Sequence, residues 1–326
     1  MSEDPSRRTL ANGLEGRPTP PSSVAILLCT LNGARFLPLQ LASFEAQDFA
    51  DWRLVVSDDG SHDGTAALLA DFQSKHGPSK VKLRQGPRRG FVANFLSLIC
   101  DPAVASDYYA LSDQDDIWDA GKLSRARSFL MNAPAATPTI YCARTRLIDD
   151  EGVEFGRSKL FRRPPHFRNA LVQSIAGGNT MVFNEAVRQV LLRAGADLEL
   201  AAHDWWIYLA TTAVGGTVFY DARPTVSYRV HSRNLIGSNL TLAGRTLRIQ
   251  MLWNNRFKQW NDLNVRALER IEPAMTEASK KTFALFRRSR TASLLPRVWG
   301  LLRSRIYRQT LSGNIGLLLG IVLKKI

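Results

Sequence analysis

The sequence predicts an α/β fold: a mostly parallel sheet with helices on both faces, extended at its C-terminus by basic helices. Apolar runs of strand length alternate with helix-like stretches from Ser23 onward, the pattern of a parallel sheet with crossover helices. Several of the runs are unbroken, as strands buried on both faces require. The 326 residues, 45% of them hydrophobic, are enough for a large core.

Val24 to Cys29 reads as the first strand, and Thr30-Leu31-Asn32-Gly33 as its turn. Arg35 to Glu45 places Phe36, Leu37, Leu39, Leu41 and Phe44 in an amphipathic helix. Trp52 to Ser57 is a second strand that runs into Asp58-Asp59-Gly60-Ser61, and Thr65 to Phe72 is the next helix. Val81 to Gln85, Phe91 to Cys100 and Tyr108 to Leu111 continue as strand, helix and strand. In the second half, Thr139 to Arg146 and Gly177 to Phe183 read as strands, and Asn184 to Leu192 and His203 to Thr212 as helices. Thr217 to Tyr220 and Thr225 to Val230 read as a last pair of strands, before a long helical region from Thr241 to Arg270.

Composition narrows the function classes. Cys29, Cys100 and Cys142 have no C-x-x-C spacing and sit in apolar surroundings, as expected of reduced core thiols in a cytosolic protein without structural zinc. Met1 to Ser23 has no apolar h-region and is expected to be a flexible arm. Residues 1–160 carry 18 basic and 20 acidic side chains, whereas residues 161–326 carry 25 and 9. No acid follows Glu277, and 11 basic residues do.

Ligands of parallel sheets bind beyond the carboxyl ends of the strands. Both acidic clusters, Asp58-Asp59 and Asp113-Gln114-Asp115-Asp116, fall there. Clustered carboxylates at such a position can hold a hard cation beside phosphates, although Asp-rich turns also arise simply from Asp bonding nearby backbone N–H groups. Asp63 reads as a helix cap, and so does Asp204 in His203-Asp204-Trp205-Trp206, at the start of an aromatic helix.

Leu28 to Gly33, Val55 to Ser61, Ser112 to Asp116, His203 to Trp206 and Ser227 to His231, in this order, resemble family 2 glycosyltransferases of the GT-A fold, a Rossmann-like architecture. The resemblance covers roughly residues 23–240. It implies a nucleotide-binding half over 23–118, an acceptor half over 119–240, and a helical basic extension over 241–326 after an arm over 1–22. It implies an inverting transfer of a sugar from a nucleoside diphosphate, dependent on Mg²⁺ or Mn²⁺. Thr30, Asn32, Asp59, Arg89 and Asp113 are then expected at the donor nucleotide, Asp115 and His231 at the cation, Gly178 and Trp205 at the acceptor, and Asp204 as the base. Asp116 is left as a supporting acid. The family usually has Glu-Asp where this chain has His203-Asp204.

Within the family, the motifs look most like rhamnosyltransferase-type members that build bacterial O-antigen or other surface polysaccharide, with dTDP-rhamnose as donor. The acceptor is then a glycan, expected to be lipid-linked. Leu294, Leu295, Val298, Trp299, Leu301, Leu302 and Ile306 recur at helical spacing among Arg297, Arg303, Arg305 and Arg308. This is expected to be a basic amphipathic helix on an anionic membrane, which places the protein at the cytoplasmic face. A helix packed on the catalytic domain is the competing reading. Two other functions compete: a nucleotidyltransferase, although no glycine-rich phosphate loop is visible, and a nucleic-acid-binding protein, although no such module is visible and no nucleic acid is expected.

Overall fold

The computed structural model describes residues 23–231 and 255–326. The expected arm over 1–22, the boundary at 240 and the helical stretch from Thr241 to Asn254 lie outside the described residues.

The first half alternates as the sequence predicts. Strands β1 (Val24–Thr30), β2 (Trp52–Asp58), β3 (Val81–Gln85) and β4 (Tyr108–Ser112) are separated by helices α1 (Leu37–Glu45), α2 (Thr65–His76) and α3 (Phe91–Ile99). β1 pairs in parallel with both β2 and β4, and β2 with β3. The unbroken apolar run of β1 serves both faces of the sheet. Val24, Ile26 and Leu28 join the core under α1 and α2, whereas Ala25, Leu27 and Cys29 join the core that contains Phe95 of α3.

The second half adds β5 (Ile117–Trp118), α4 (Lys122–Met131), β6 (Thr139–Ile148), β7 (Glu154–Arg157), α5 (Phe167–Ala170), β8 (Val182–Asn184), α6 (Glu185–Ala194), α7 (His203–Ala213) and β9 (Thr217–Arg229). The nine strands form one sheet in the order β3-β2-β1-β4-β8-β6-β9-β5, with β7 on β6. β8 runs antiparallel to β4 and to β6, so the sheet is mixed beyond β4.

Several local readings change. The strand expected over Gly177 to Phe183 is a 3₁₀ turn at Gly178–Thr180 followed by the short β8. The two strands expected between Thr217 and Val230 are one, β9, which carries Pro224 past an irregularity in its pairing with β6 between Ala143 and Thr145. α4 has no counterpart in the sequence reading, because Lys122, Ser124, Arg125 and Arg127 mask its buried stripe of Leu123, Ala126 and Leu130.

The C-terminal helices are α8 (Arg256–Ile271), α9 (Glu277–Thr291), α10 (Leu294–Ser304) and α11 (Leu311–Val322). Val265, Leu268, Phe283, Phe286, Leu301 and Ile321 join the same core as α3, α6 and α7. The connection between α10 and α11 is stitched to the α5 region: Tyr307 donates its hydroxyl to Pro164 O at 3.0 Å, and Arg308 Nη1 donates to Val172 O at 3.0 Å. Arg297, expected to face lipid, is buried instead, and its guanidinium donates to the carbonyls of Ala292, Ile321 and Val322. Part of the expected basic face is therefore internal glue between α10 and α11.

Candidate active site

Strand register brings the candidate groups to one edge of the sheet. Thr30 lies opposite Asp58, and Leu28 opposite Ser112. The turns that follow β1, β2 and β4 therefore emerge side by side at their carboxyl ends.

The first two turns are bonded to each other. Thr30 Oγ1 donates to Asp58 Oδ2 at 2.7 Å, and Asp58 also accepts from Ser61 N at 2.8 Å and Ser61 Oγ at 2.6 Å. Burial alone would raise the Asp58 pKa, but the bonds from Ser61, Thr30 and Gly60 hold it below the usual carboxylate range. Asn32 adopts a left-handed φ of 51° and accepts from His62 N at 2.8 Å. The acidic turn joins the first one through Gln114, which accepts from Leu31 N at 2.8 Å and donates back to Leu31 O at 3.0 Å.

Asp59 is 8% exposed and accepts from Arg88 N at 2.6 Å and Gly90 N at 2.9 Å. The adjacent carboxylates are thus divided: Asp58 closes its own turn and Asp59 holds the loop before α3. Two backbone donors leave Asp59 further lone pairs for a ligand N–H. Arg89 lies exposed in that loop, while the Arg88 side chain lies across Gly60.

The acidic turn contains three different environments. Asp116 is wholly buried and accepts from Asn179 Nδ2 and from Arg229 N at 3.3 Å. Lys122, also wholly buried, donates to Asn179 O at 2.7 Å and lies over the Trp118 ring at 3.1 Å. Burial drives the Asp116 pKa up and the Lys122 pKa down, and Asp116 in turn favours the charged lysine. Asp116 is therefore an internal member of a polar network.

Asp113 is half-buried, and its pKa is pushed up to about 7 by burial and then by the charges of Asp115 and Asp204. Asp115 Oδ2 lies 2.9 Å from His231 Nε2. Arg229 Nε donates to Asp115 O at 3.1 Å, and its guanidinium covers the Phe36 ring, on which His231 stacks at 5.6 Å. Residues 116 positions apart are thereby held as one unit.

Asp204 lies at the start of α7, next to Asp113 in charge. Burial raises its pKa to about 6, against the pull of the backbone N–H groups of Trp205 and Gly178. Its neighbour His203 is 5% exposed and stacks on Phe95 at 4.0 Å, and burial drives its pKa down to about 3. A Cβ on Gly178 would stand 2.4 Å from His203 Nε2, so this close approach demands glycine.

Trp205, expected at the acceptor, is 7% exposed, donates Nε1 to Ala170 O at 2.6 Å and meets Trp260 edge to face. Trp118 is 3% exposed and Trp206 wholly buried, so these two tryptophans also pack in the core. Lys122 and the bracing roles of Asn179 and Gln114 escaped sequence reasoning. A buried lysine looks like any helix lysine until the surrounding chain is in place.

A carboxylate oxygen and an imidazole nitrogen in contact form a donor set that suits Mg²⁺ or Mn²⁺ and leaves positions open for phosphate oxygens. Asp115 and His231 fit a divalent cation on that ground. Among the described residues no group of three or more His, Cys, Asp or Glu side chains gathers as a self-sufficient metal site.

The glycosyl transferase family 2 model matches residues 25–194, more than half of the chain. The chain belongs to glycosyltransferase family 2. It is 25% identical over 241 residues to the dTDP-rhamnosyl transferase RfbG of Shigella flexneri, covering 71% of this chain and 81% of that protein. Among solved structures, S. aureus TarS 1-349 in complex with UDP aligns over 93% of this chain and 88% of its own, with a TM-score of 0.54 and 13% identity. The mannosyltransferase PcManGT from Pyrobaculum calidifontis, in complex with GDP-Man and Mn²⁺, aligns over 93% and 87% with a TM-score of 0.52 and 18% identity. The protein is thus a glycosyltransferase with a GT-A fold.

Proposed function

We propose that this glycosyltransferase inverts a sugar in a single in-line displacement, with the nucleoside diphosphate donor held over the carboxyl ends of β1, β2 and β4. The observation that carries the reading is the meeting of Asp204 with the acidic turn. The turn at Gly178–Thr180 joins them: Gly178 packs against His203, the neighbour of Asp204, and Asn179 Nδ2 donates to Asp116 of the acidic turn, so the groups for leaving-group chemistry and for proton removal lie on either side of one short turn.

The residues divide the work. Thr30, Asn32 and Asp59 lie beneath the nucleoside, Arg89 stands at the rim, and Asp113 faces the ribose. Asp115 and His231 would hold the divalent cation, which when bound would neutralise charge building on the departing diphosphate. Asp204 takes the proton from the acceptor hydroxyl as that oxygen bonds to the anomeric carbon and the bond to the diphosphate oxygen breaks. A carboxylate with a pKa near 6 is ionised at neutral pH and is a stronger base than an ordinary one. Gly178, whose missing side chain lets His203 pack closely, helps to fix the start of α7 and with it Asp204.

The relationship to RfbG favours dTDP-rhamnose as donor. The resemblance to rhamnosyltransferases of surface-polysaccharide assembly favours a lipid-linked glycan acceptor at the inner face of the cytoplasmic membrane. The test is incubation with dTDP-rhamnose and a panel of other nucleotide sugars, with and without Mg²⁺ or Mn²⁺. Cation-dependent release of dTDP supports the reading. Release of a different nucleoside diphosphate overturns the donor, and release of pyrophosphate overturns glycosyl transfer.

A further inference from the structure

We infer that α10 and α11 together form a docking surface for an anionic lipid leaflet and lie in its plane. The surface does not coincide with the one the basic residues of the sequence indicate. α10 turns Arg297, Gly300, Leu301 and Ser304 inward and leaves Leu295, Trp299 and Leu302 at 81%, 61% and 64% exposure. These three are spaced i, i+4 and i+7 and form one stripe. α11 buries Leu317, Gly320 and Ile321 and leaves Leu311, Ile315, Leu318, Leu319 and Val322 exposed, again along one side.

The stripes belong to neighbouring helices. Arg297 of α10 donates to Ile321 O at 3.2 Å and Val322 O at 3.3 Å of α11. Exposed apolar residues scattered singly are ordinary, but an exposed apolar stripe on each of two adjoining helices marks an interaction surface.

Charge selects the occupant. Arg303, Arg305 and Lys324 are exposed near the ends of these helices, Arg288 is exposed in the last turn of α9, and no acidic residue follows Glu277. A second copy docked about a two-fold axis would set these cations against their own kind. Anionic headgroups satisfy the cations while acyl chains cover the leucines and Trp299. The 12 residues of α11 span about 18 Å, too little to cross a hydrocarbon core of about 30 Å. None of the described helices is long and apolar enough to cross a membrane.

The inference does not depend on the donor, the cation or the base. Deleting the tail would be a poor test, because Phe283, Phe286 and Leu301 belong to the core. The test is co-sedimentation of the full chain with vesicles of phosphatidylcholine alone or mixed with phosphatidylglycerol. The unaltered protein should bind the mixed vesicles in a salt-sensitive manner. The double variant Trp299→Glu/Leu319→Glu and the triple variant Arg303→Gln/Arg305→Gln/Lys324→Gln should each bind roughly tenfold or more weakly. Both sets change exposed positions, and unchanged melting and nucleotide binding would verify their folds. Failure of the unaltered protein to bind, equal binding to neutral vesicles, or full binding by both variants would overturn the inference. A dimer dispersed by the apolar double variant, without vesicle binding, would assign the surface to a second copy instead.

Discussion

His231 Nε2 stands 2.9 Å from Asp115 Oδ2, joining the end of β9 to the turn after β4. The two residues meet because β9 pairs with β5, just beyond the acidic turn, and because the buried Arg229 anchors its guanidinium on the carbonyls of Asp115, Asp149 and Asp150. His231→Ala should weaken the apparent affinity for Mn²⁺ in the presence of nucleoside diphosphate by roughly 10–100-fold or more, as changes at metal sites do. Calorimetric titration would measure it. An unchanged cation affinity would remove His231 from the site.

Asp204→Asn should lower transfer by about 10²–10⁴-fold while leaving nucleotide affinity near that of the unaltered protein. Loss of nucleotide binding by a variant that still folds would overturn its assignment as base.

The pH dependence of the same residue has a definite sign. Asp204 must be ionised to accept a proton, and its pKa is about 6, so the rate should fall as pH drops through that value. Stability runs the other way. A carboxyl with a folded pKa above its unfolded one costs stability as pH rises from the ordinary carboxylate range through about 6. Asp204→Asn should therefore melt above the unaltered enzyme at neutral pH and lose that advantage in acid. Thermal melts across the range would decide it.

Gly178→Ala should impair transfer without abolishing nucleotide binding, because the new methyl group collides with His203 Nε2 and displaces the start of α7. Comparison of the maximal rate with the donor dissociation constant separates the two effects. Equal losses in both would place the damage in the nucleotide half.

Lys122→Met should destabilise the fold by about 3 kcal/mol or more, since it leaves the buried Asn179 carbonyl without its donor and removes the cation whose charge Asp116 favours. Adding Asp116→Asn should recover part of that loss, which denaturant titration of the single and double variants would measure.

The fold and the gathering of the candidate residues at one edge of the sheet were legible where sequence pattern and tertiary role coincide. The β1 run, the acidic turns and the strand–helix alternation are local signals, and each stands where it was expected. What stayed hidden depends on contacts between distant segments. No periodicity reveals that Arg297 faces inward, that Trp205 spends its indole N–H on Ala170 O, or that Lys122 sits beneath the acidic turn. Adjacent Asp58 and Asp59 look equivalent in sequence and differ only because the loop before α3 arrives at one of them.

The paired bonds between Gln114 and the Leu31 backbone have a consequence for how the donor is met. They make the turns after β1 and β4 a single preorganised body, assembled during folding before any nucleotide arrives. A donor that fits this body has little loop entropy to surrender on binding. One with a differently shaped base would meet a surface that yields poorly, so rigidity itself becomes a source of selectivity.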